Sequence, residues 1–570
     1  MKSFVSKIMT LGFVAAATML GACSDDFLDV TSKTQPSTGN WYKDEGDAYR
    51  ALIGCYDGWR NTASSLGGVN NFYVSSTVMS DECYGSTGNG DDFTAQVVDR
   101  FDQAQSPTHL DIYNDTWKIY YAAVYRCNEL LAHDATITWL DESKSKRNLY
   151  LGECRALRAI LYFDMVRLWG NIPLFLSPSQ ENRAQADPAE VYAAIIDDLR
   201  FAADNIPADA YLSDSGALDT KQFGHVTKYA AEALLGRVYL YYTGYYGKEP
   251  GYTNAEGVTT GTLTQAEALA YVEDVIKSGP YSLVSSFKNL WPAASLDPIP
   301  DAVGWAESST YAGDANSEVI LSMNFTPTQD YNGNNDSNRW LVMMGMRNQN
   351  FTARGYGKGW GAACVNKPFI DKFFPNDLDA RRSAGIIDIV AEGVSAEENF
   401  PTNVKDWREY TGYTVKKYCP LVYGNGLPGT NPQGTAGFQE CNAQPWNFVR
   451  LADVMLMAAE LGSSSAADYL HQIRNRAGLS DIPVTKQNIL DERARELAFE
   501  GHRYWDLLRQ GVDVMADAVC ATAGPVTSGG IATNVTYNRE KIIATKGLAR
   551  IPQTQITLSN GVLKQNEGWN

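Results

Sequence analysis

The chain has 570 residues, of which 44% are hydrophobic and 11% are aromatic, and its formal net charge is −18. This composition excludes an intrinsically disordered chain, and the negative charge argues against binding to nucleic acid or to other polyanions. A neutral ligand suits such a surface better. The nine cysteines include neither a CxxC pair nor a zinc-ligand grouping. Cys127 and Cys154 lie on apolar helix faces, so we interpret them as buried free thiols, and disulfides among the other cysteines stay open.

The first segment of the chain has the pattern of an export signal. Two lysines precede an uncharged apolar run over residues 8–20, which is shorter than the ~20 residues that a membrane span needs. The run ends in Leu20-Gly21-Ala22-Cys23, which matches the bacterial lipoprotein signal, in which the cysteine is lipidated. We therefore predict a signal peptide over 1–22, lipidation at Cys23 and a polar tether over 23–40. The alternative is an ordinary secretory signal that ends near Cys23.

The residues after the cysteine indicate where the anchored chain is placed. Ser24 stands where an aspartate would favour retention in the inner membrane, and Asp25 and Asp26 resemble an acidic tag for surface export. We therefore predict a lipid-anchored protein of the outer membrane that faces the cell exterior.

Residues 41–284 show a helical pattern. Apolar residues recur at three- and four-residue steps, which predicts successive amphipathic helices. The clearest examples fall within 41–59, 117–131, 157–168 and 230–241. Gly170-Asn171-Ile172-Pro173 predicts a helix end, and a proline near the first turn predicts that another helix begins close to residue 187. Helices of this length in succession predict tandem helical hairpins.

Residues 285–445 differ in character, because glycine, asparagine and proline become frequent and the helical period disappears. Alternation over Glu318–Phe325 predicts a short strand. Tryptophans on loops that a helical frame supports are candidates for recognition, so we interpret 285–445 as a ligand-recognition region. Residues 446–570 form a second helical region, and we expect 23–570 to be one compact unit.

The second helical region is predicted to contain helices over Phe448–Leu461, Ala466–Ala477 and Ile489–Leu508. In the last of these, Glu492, Glu496 and Glu500 stand at four-residue steps and would share one helix face. A carboxylate metal site would need a Glu-x-x-His pattern, and the chain has only Glu-Gly-His here. We therefore predict a buried ion network that links helices. The neighbouring arginines expected to neutralise the glutamates are Arg493, Arg495 and Arg503.

Several segments resemble the SusD/RagB family of outer-membrane proteins. The most distinctive are Asn447–Glu460, Ile473–Leu479 and Glu492–Gly511. Weaker similarities occur, in family order, at Arg126-Cys127-Asn128, Arg155–Ala159, Trp169–Leu174, Ile551-Pro552 and Gln565–Trp569. The ordered set covers nearly the whole chain, so the chain is identified as a member of this family.

The resemblance implies a mostly α fold of tetratricopeptide-like helical hairpins, with a loop-rich region that contains short strands. It implies a surface lipoprotein that binds oligosaccharide and delivers polysaccharide fragments to a SusC-like TonB-dependent transporter, with no catalysis and no cofactor. Two alternatives stay open: a peptide-binding lid on the same type of transporter, and a surface glycoside hydrolase. No metalloprotease, nucleophile-elbow, P-loop or dinucleotide motif supports an enzyme.

Sugar rings stack on aromatic planes, and their hydroxyls pair with planar polar groups. Two loop regions, 81–92 and 305–360, supply both kinds of side chain. The first begins at Asp81, which matches an acidic residue of the family after which the loop often faces ligand. The predicted ligand contacts are Asp81, Tyr84, Asn89, Asp92, Trp305, Tyr311, Trp340, Arg347, Tyr356 and Trp360. For any single aromatic, packing against the helical frame is the alternative.

Alternating polar residues also resemble a calcium loop, and some members of the family bind calcium. The residues concerned are Asp330, Asn332, Asn334 and Asp336. The glycine at position 333 is misplaced for such a loop and no glutamate follows at the twelfth position, so a solvated turn is favoured and calcium stays an alternative.

Overall fold

The computed structural model describes residues 41–64, 72–86, 93–103, 107–140, 145–253, 260–298, 305–326, 336–347, 355–392, 411–422, 439, 442–528 and 531–569. The predicted signal peptide, the lipidation site at Cys23 and the tether lie outside these ranges. Within them, no helix is both long enough and apolar enough to cross a membrane.

The first part of the chain is a succession of helices. They are α1 Glu45–Ser64, α2 Phe72–Val78, α3 Thr94–Asp99, α4 Asn114–Ala132, α5 Ser145–Trp169, α6 Pro188–Asn205, α7 Lys228–Tyr246 and α8 Gln265–Ser278. Helix α1 packs on α4 and α5, and from α4 to α8 each long helix packs on the next along the chain. The prediction of a helical scaffold built from tetratricopeptide-like hairpins is confirmed.

The ends of these helices follow from local sequence. Gly170 follows α5 with φ +72°, a left-handed conformation that glycine adopts without strain. Helix α6 begins as predicted, because the Asp187 side chain accepts a hydrogen bond from the Ala189 N–H and Pro188 occupies the first turn. Helix α8 begins with a reciprocal capping box between Thr264 and Glu267.

The loop-rich region carries short helices and two-stranded antiparallel sheets. Its helices are α9 Arg339–Met344, α10 Lys367–Phe373 and α11 Ala380–Gly385. Its strands, together with those before it, are β1 Cys83–Gly85, β2 Gly251–Thr253, β3 Thr260–Thr262, β4 Leu296–Pro298, β5 Trp305–Glu307, β6 Val319–Met323, β7 Ala363–Val365, β8 Ile386–Asp388 and β9 Tyr413–Val415. The predicted strand over 318–325 is therefore confirmed as β6, although both of its faces are buried.

The C-terminal part is again mainly helical. It contains β10 Trp446–Arg450, α12 Leu451–Glu460, α13 Ala466–Arg476, α14 Lys486–Glu496, α15 Arg503–Leu508, α16 Val512–Cys520, β11 Gly524–Ser528, β12 Ile531–Val535, α17 Arg539–Ala544 and α18 Gln553–Leu558. Strand β10 pairs with β6 across more than 120 residues of sequence. Helix α12 packs on α8 and thereby joins the two helical regions.

Two predicted helices in this part need correction. The helix expected from Phe448 starts only at Leu451, because the preceding residues pair with β6 as strand β10. The helix expected over Ile489–Leu508 is broken between α14 and α15. Phe499 and Gly501 there have φ values of +63° and +79°, which a right-handed helix cannot contain.

The predicted ion network is present and fully buried. Arg450 donates to Glu318, Glu496 and Glu500 over 2.7–2.8 Å. Arg381 joins Glu496 to Glu492 over 3.0 and 2.6 Å. We call this set the carboxylate network. It ties β6, β10, α11 and α14 together.

The cations of the carboxylate network differ in part from those expected. Arg495 lies 3.8 Å from Glu492 as predicted, whereas Arg493 and Arg503 pair with other carboxylates. Because the chain leaves the helix after Glu496, Glu500 no longer lies on the α14 face, and it binds Lys417 at 2.7 Å as well as Arg450. Arg493 instead pairs with Asp453 and Asp506. The sequence identified the buried carboxylates but not their long-range partners.

Candidate functional site

Two of the predicted ligand contacts on the first loop are interior residues. Asp81 is 4% exposed, and its two carboxylate oxygens accept hydrogen bonds from Arg503, each at 2.7 Å. The buried Tyr84 hydroxyl donates to the Thr522 carbonyl oxygen. Withdrawing either partner from the Asp81–Arg503 pair would leave a buried charge uncompensated. We therefore correct the assignment of Asp81 and Tyr84 as ligand contacts.

Two aromatic residues of the second loop region are also buried. Trp340 is 0% exposed, with its ring centroid 4.1 Å from that of Trp446 in a stacked arrangement. Its place in α9 is fixed because Asn338 caps this helix through the Trp340 N–H. The Tyr356 hydroxyl donates to Glu392 over 2.6 Å from a side chain that is 4% exposed. Trp340 and Tyr356 are thus also corrected to packing residues.

Three predicted contacts are half-buried and keep their candidacy. The Tyr311 hydroxyl donates to Asp314 over 2.7 Å. Trp360 lies with its ring centroid 5.8 Å from the Arg339 guanidinium carbon. Arg347 forms an isolated β-bridge with Gly359. These residues belong to the loop-rich region of the chain, and part of each side chain is accessible.

Other predicted site residues fall outside the described ranges, namely Asn89, Asp92, Asp330, Asn332 and Asn334. Of Trp305 only the backbone is described, as part of β5. Asp336, one of the residues whose spacing resembles a calcium loop, is described, and its carboxylate lies 2.6 Å from the Arg60 guanidinium. In this structure Asp336 is therefore the partner of an arginine.

A cavity of about 290 Å³ opens beside α1. We call it the α1 groove. It lies between α1, the turn that precedes α7 and the end of β6, and its lining residues are Ile53, Tyr56, Asp57, Trp59, Arg60, Phe223, Gly224, His225, Ser322, Met323 and Asn324. Aromatic rings and planar polar groups thus meet in one concave place, although the sequence did not mark any of these residues as a ligand contact.

One wall of the α1 groove is built on a buried glutamate from α5. Glu153 is 0% exposed, and it accepts hydrogen bonds from the Tyr56 and Tyr211 hydroxyls. His225 Nδ1 lies 2.7 Å from the same carboxylate, and the Tyr211 ring stacks on the His225 ring at 4.2 Å. Burial, followed by the nearby Glu153 charge, raises the pKa of Tyr56 well above its usual value, so this hydroxyl stays protonated and remains a donor.

The opposite wall is polar and held by its own contacts. Asp57 binds Arg126 at 2.6 Å and also pairs with Arg60, which in turn reaches Asp336. Burial would raise the pKa of Asp57, but the two arginines outweigh this effect and lower it. Asp57 is therefore ionised at neutral pH.

The floor of the α1 groove depends on a glycine. Asn324 Nδ2 donates to the Phe223 carbonyl oxygen over 2.8 Å, and Ser322 Oγ donates to Asn324 Oδ1 over 2.8 Å. Gly224 has φ +101°, and a Cβ at this position would lie 2.4 Å from Asn324 Nδ2. Only glycine permits this close approach, so the turn that shapes the groove is specified by sequence.

This arrangement suits binding more than bond cleavage. Asp57, which lines the groove, and Glu153, which is buried behind its wall, each accept from two or three donors, whereas a general acid and base need free access to substrate. Rings beside fixed amide and guanidinium groups can hold a neutral polar ligand by stacking and hydrogen bonding. Local sequence patterns do not reveal the groove, because its lining residues run from Ile53 to Asn324 and lie on separate elements that only the tertiary fold brings together.

The fold is a scaffold of helical hairpins that carries a concave groove lined by aromatic and polar side chains. A family model described as "SusD family" matches residues 317–569, and a second, described as "Starch-binding associating with outer membrane", matches residues 59–240. The chain belongs to the SusD family.

Similar proteins are known in sequence and in structure. SusD-like protein P25 of Formosa agariphila is 24% identical over 537 residues, which cover 86% of this chain and 88% of the relative. Starch-binding protein SusD of Bacteroides thetaiotaomicron is 24% identical over 452 residues, covering 73% and 72%. A solved laminarin binding SusD-like protein superimposes with a TM-score of 0.69 at 25% identity, covering 93% of this chain and all of that one. Surface glycan-binding protein A from Bacteroides thetaiotaomicron, solved with laminarihexaose, has the same fold at 22% identity, a TM-score of 0.70 and coverage of 92% and 100%.

Proposed function

We propose that this chain is a glycan-binding lipoprotein of the cell surface, anchored in the outer membrane through Cys23. It captures oligosaccharides and delivers them to a partner SusC-like TonB-dependent transporter. The observation that carries the proposal is the match of two family models to both halves of the chain, one of them described as starch-binding and associating with the outer membrane. The relatives named for a ligand are named for starch or laminarin binding, which favours glycan over peptide and binding over catalysis.

The α1 groove is the proposed contact site for sugar. Its volume of about 290 Å³ lies at the lower end of the ~300–1,000 Å³ typical of small-ligand sites, so it would hold one end of a glycan or a short segment. Tyr56 and Phe223 offer rings for stacking, while Arg60 and Asn324 offer donors at fixed positions. Direct protein contacts are sufficient for this mode of binding, and no cofactor takes part.

The test is calorimetric titration of the full-length chain in detergent. The panel contains laminarin and starch oligosaccharides, other plant and microbial glycans, and peptides as the competing ligand class. Replacing Phe223 by alanine should weaken binding of the preferred glycan about tenfold, or about 1.4 kcal/mol. The melting temperature should change little, because Phe223 is only partly buried.

Phe93→Ala is the matched control, since Phe93 is 43% exposed and does not line the α1 groove. It should leave both affinity and stability unchanged. If Phe223→Ala and the unaltered chain bound glycan with equal affinity, the sugar site would have to lie outside the groove. Binding to peptides but to no glycan would overturn the proposed function itself.

A further inference from the structure

Three thiols meet in the interior of the first helical region. Cys55 comes from α1, Cys127 from α4 and Cys154 from α5, and each side chain is 0% exposed. Their three sulfur atoms all lie within 4.8 Å of one another. The sulfurs of Cys55 and Cys154 are 4.0 Å apart. Each of the three helices therefore contributes one sulfur to the same cluster.

This convergence is fixed by the way in which the helices pack. Helix α1 approaches α4 closely at Gly58, where a Cβ would lie 3.0 Å from the Ala123 Cβ. Cys154 is also held from the other side, because its thiol donates to the Cys127 carbonyl oxygen over 3.5 Å. A single buried cysteine acts as a small apolar residue that fills space. Three sulfurs that face one another form a set of soft donors that is organised before any ligand binds.

We propose that Cys55, Cys127 and Cys154 form a binding site for a soft, thiophilic metal ion, of which Cu(I) is the best fit. Thiolate sulfur selects ions of this class. Metal–sulfur bonds of about 2.3 Å in a three-coordinate plane place the sulfurs about 4.0 Å apart, close to the observed Cys55–Cys154 separation. Structural Zn(II) sites take four ligands. Among the described residues, neither a histidine nor a carboxylate joins this group, which favours a three-coordinate ion.

Binding of one Cu(I) ion would release the three thiol protons to solvent. The ion would offset one of the three thiolate charges, and the remaining charge of −2 would lie near Arg126 and Arg158, which act electrostatically on Cys55 and Cys127. The alternative to metal binding is that two of these thiols are oxidised to a disulfide, which requires a sulfur–sulfur distance of about 2.05 Å and an oxidant. The Cys55 and Cys154 sulfurs would have to approach by almost 2 Å to form it.

The experiment uses the full-length chain, purified in detergent without oxygen from cells grown with added copper. Metal content is measured by mass spectrometry, and the sulfur neighbours of the copper are counted by X-ray absorption. We expect about one copper per chain with three sulfur ligands. Cys127→Ala should retain less than a tenth of this copper, whereas Cys419→Ala, which removes a buried thiol in another part of the fold, should retain all of it.

Equal copper in the unaltered chain and in Cys127→Ala would overturn the site. So would a Cys55–Cys154 disulfide found by peptide mapping of the native chain. Should Cys127→Ala fail to fold, the absorption spectrum of the unaltered chain decides alone, because a spectrum without three sulfur neighbours contradicts the proposal. Neither result bears on glycan binding, which is measured separately.

Discussion

The carboxylate network and the wall of the α1 groove are both built around a glutamate that solvent does not reach. In the network, Glu496 accepts hydrogen bonds from Arg381, Arg450 and Arg476, all of which carry a fixed charge. In the groove, Glu153 accepts from two tyrosine hydroxyls and from His225. The same side chain is thus stabilised by permanent cations in one place and mainly by neutral donors in the other.

This difference separates the scaffold from the proposed binding surface. In the carboxylate network, burial would raise the pKa of Glu496, but Arg476, Arg450 and Arg381 outweigh burial and lower it below its usual range. Every charge in that cluster is matched within the fold. The groove instead places aromatic rings and donors at an accessible edge, supported from behind by Glu153. Substitutions in the carboxylate network should therefore lower the free energy of unfolding, and substitutions in the α1 groove should weaken ligand binding.

The largest expected effect is that of Arg450→Met, which removes the central cation of the carboxylate network. Glu318, Glu496 and Glu500 would lose a shared partner inside the protein, so the free energy of unfolding should fall by about 3–5 kcal/mol. Urea denaturation measures this change. Arg539→Ala is the control, because its pairs with Asp513 and Asp517 are exposed to solvent and should contribute little to stability. A similar loss of unfolding free energy in both variants would contradict the view that the carboxylate network stabilises the fold.

Trp340→Ala tests the same difference between scaffold and groove with an aromatic residue. Trp340 is fully buried against Trp446 and Tyr418, so its removal should cost about 3–5 kcal/mol of stability. Where the variant remains folded at low temperature, its glycan affinity should equal that of the unaltered chain, the reverse of Phe223→Ala. A stable Trp340→Ala chain that had lost its affinity would restore Trp340 as a ligand contact.

Local signals in the sequence were sufficient for most of the scaffold. Apolar periodicity located the long helices, and Gly170 and Pro188 marked where one ends and another begins. The strand at Phe448 was missed because its apolar residues also fit a helix, and only pairing with β6 decides between the two. The break near Phe499 depends on a positive φ at a non-glycine residue, which sequence patterns do not reveal.

The candidate site was far less predictable. Large rings on loops commonly recognise ligands, which is why the sequence favours residues such as Trp340. Burial depends, however, on what packs over the ring, and here Trp446 comes from a strand that is distant in sequence. The α1 groove joins Tyr56, His225 and Asn324, whose proximity follows only from the stacking of helices. Gly224, between two aromatic residues, was the local sign that a close approach occurs there.

Glu82 is another buried glutamate, and unlike Glu496 it accepts no hydrogen bond from an arginine or lysine side chain among the described residues. Glu82 Oε1 accepts the Phe499 N–H over 3.0 Å, and Oε2 has no hydrogen-bond partner among the described residues. Burial raises the pKa of Glu82 to about 8, so the folded chain holds this proton at neutral pH. The unfolded chain releases it near pH 4.5, the usual value. The stability that Glu82 contributes should therefore be complete below about pH 4.5 and should be lost as the pH rises to 8.

Glu82→Gln removes this titration while keeping the shape of the side chain. The free energy of unfolding of the unaltered chain, compared with that of the variant, should fall by on the order of 1–3 kcal/mol between pH 5 and pH 9. Urea denaturation at one-unit pH intervals measures the difference, and Glu181→Gln, at an exposed position, is the control for the substitution itself. A difference that stays constant with pH would mean that Glu82 is ionised in the folded chain. The nearby Arg503 and Lys417 would then have to compensate its charge, as the arginines do for Glu496.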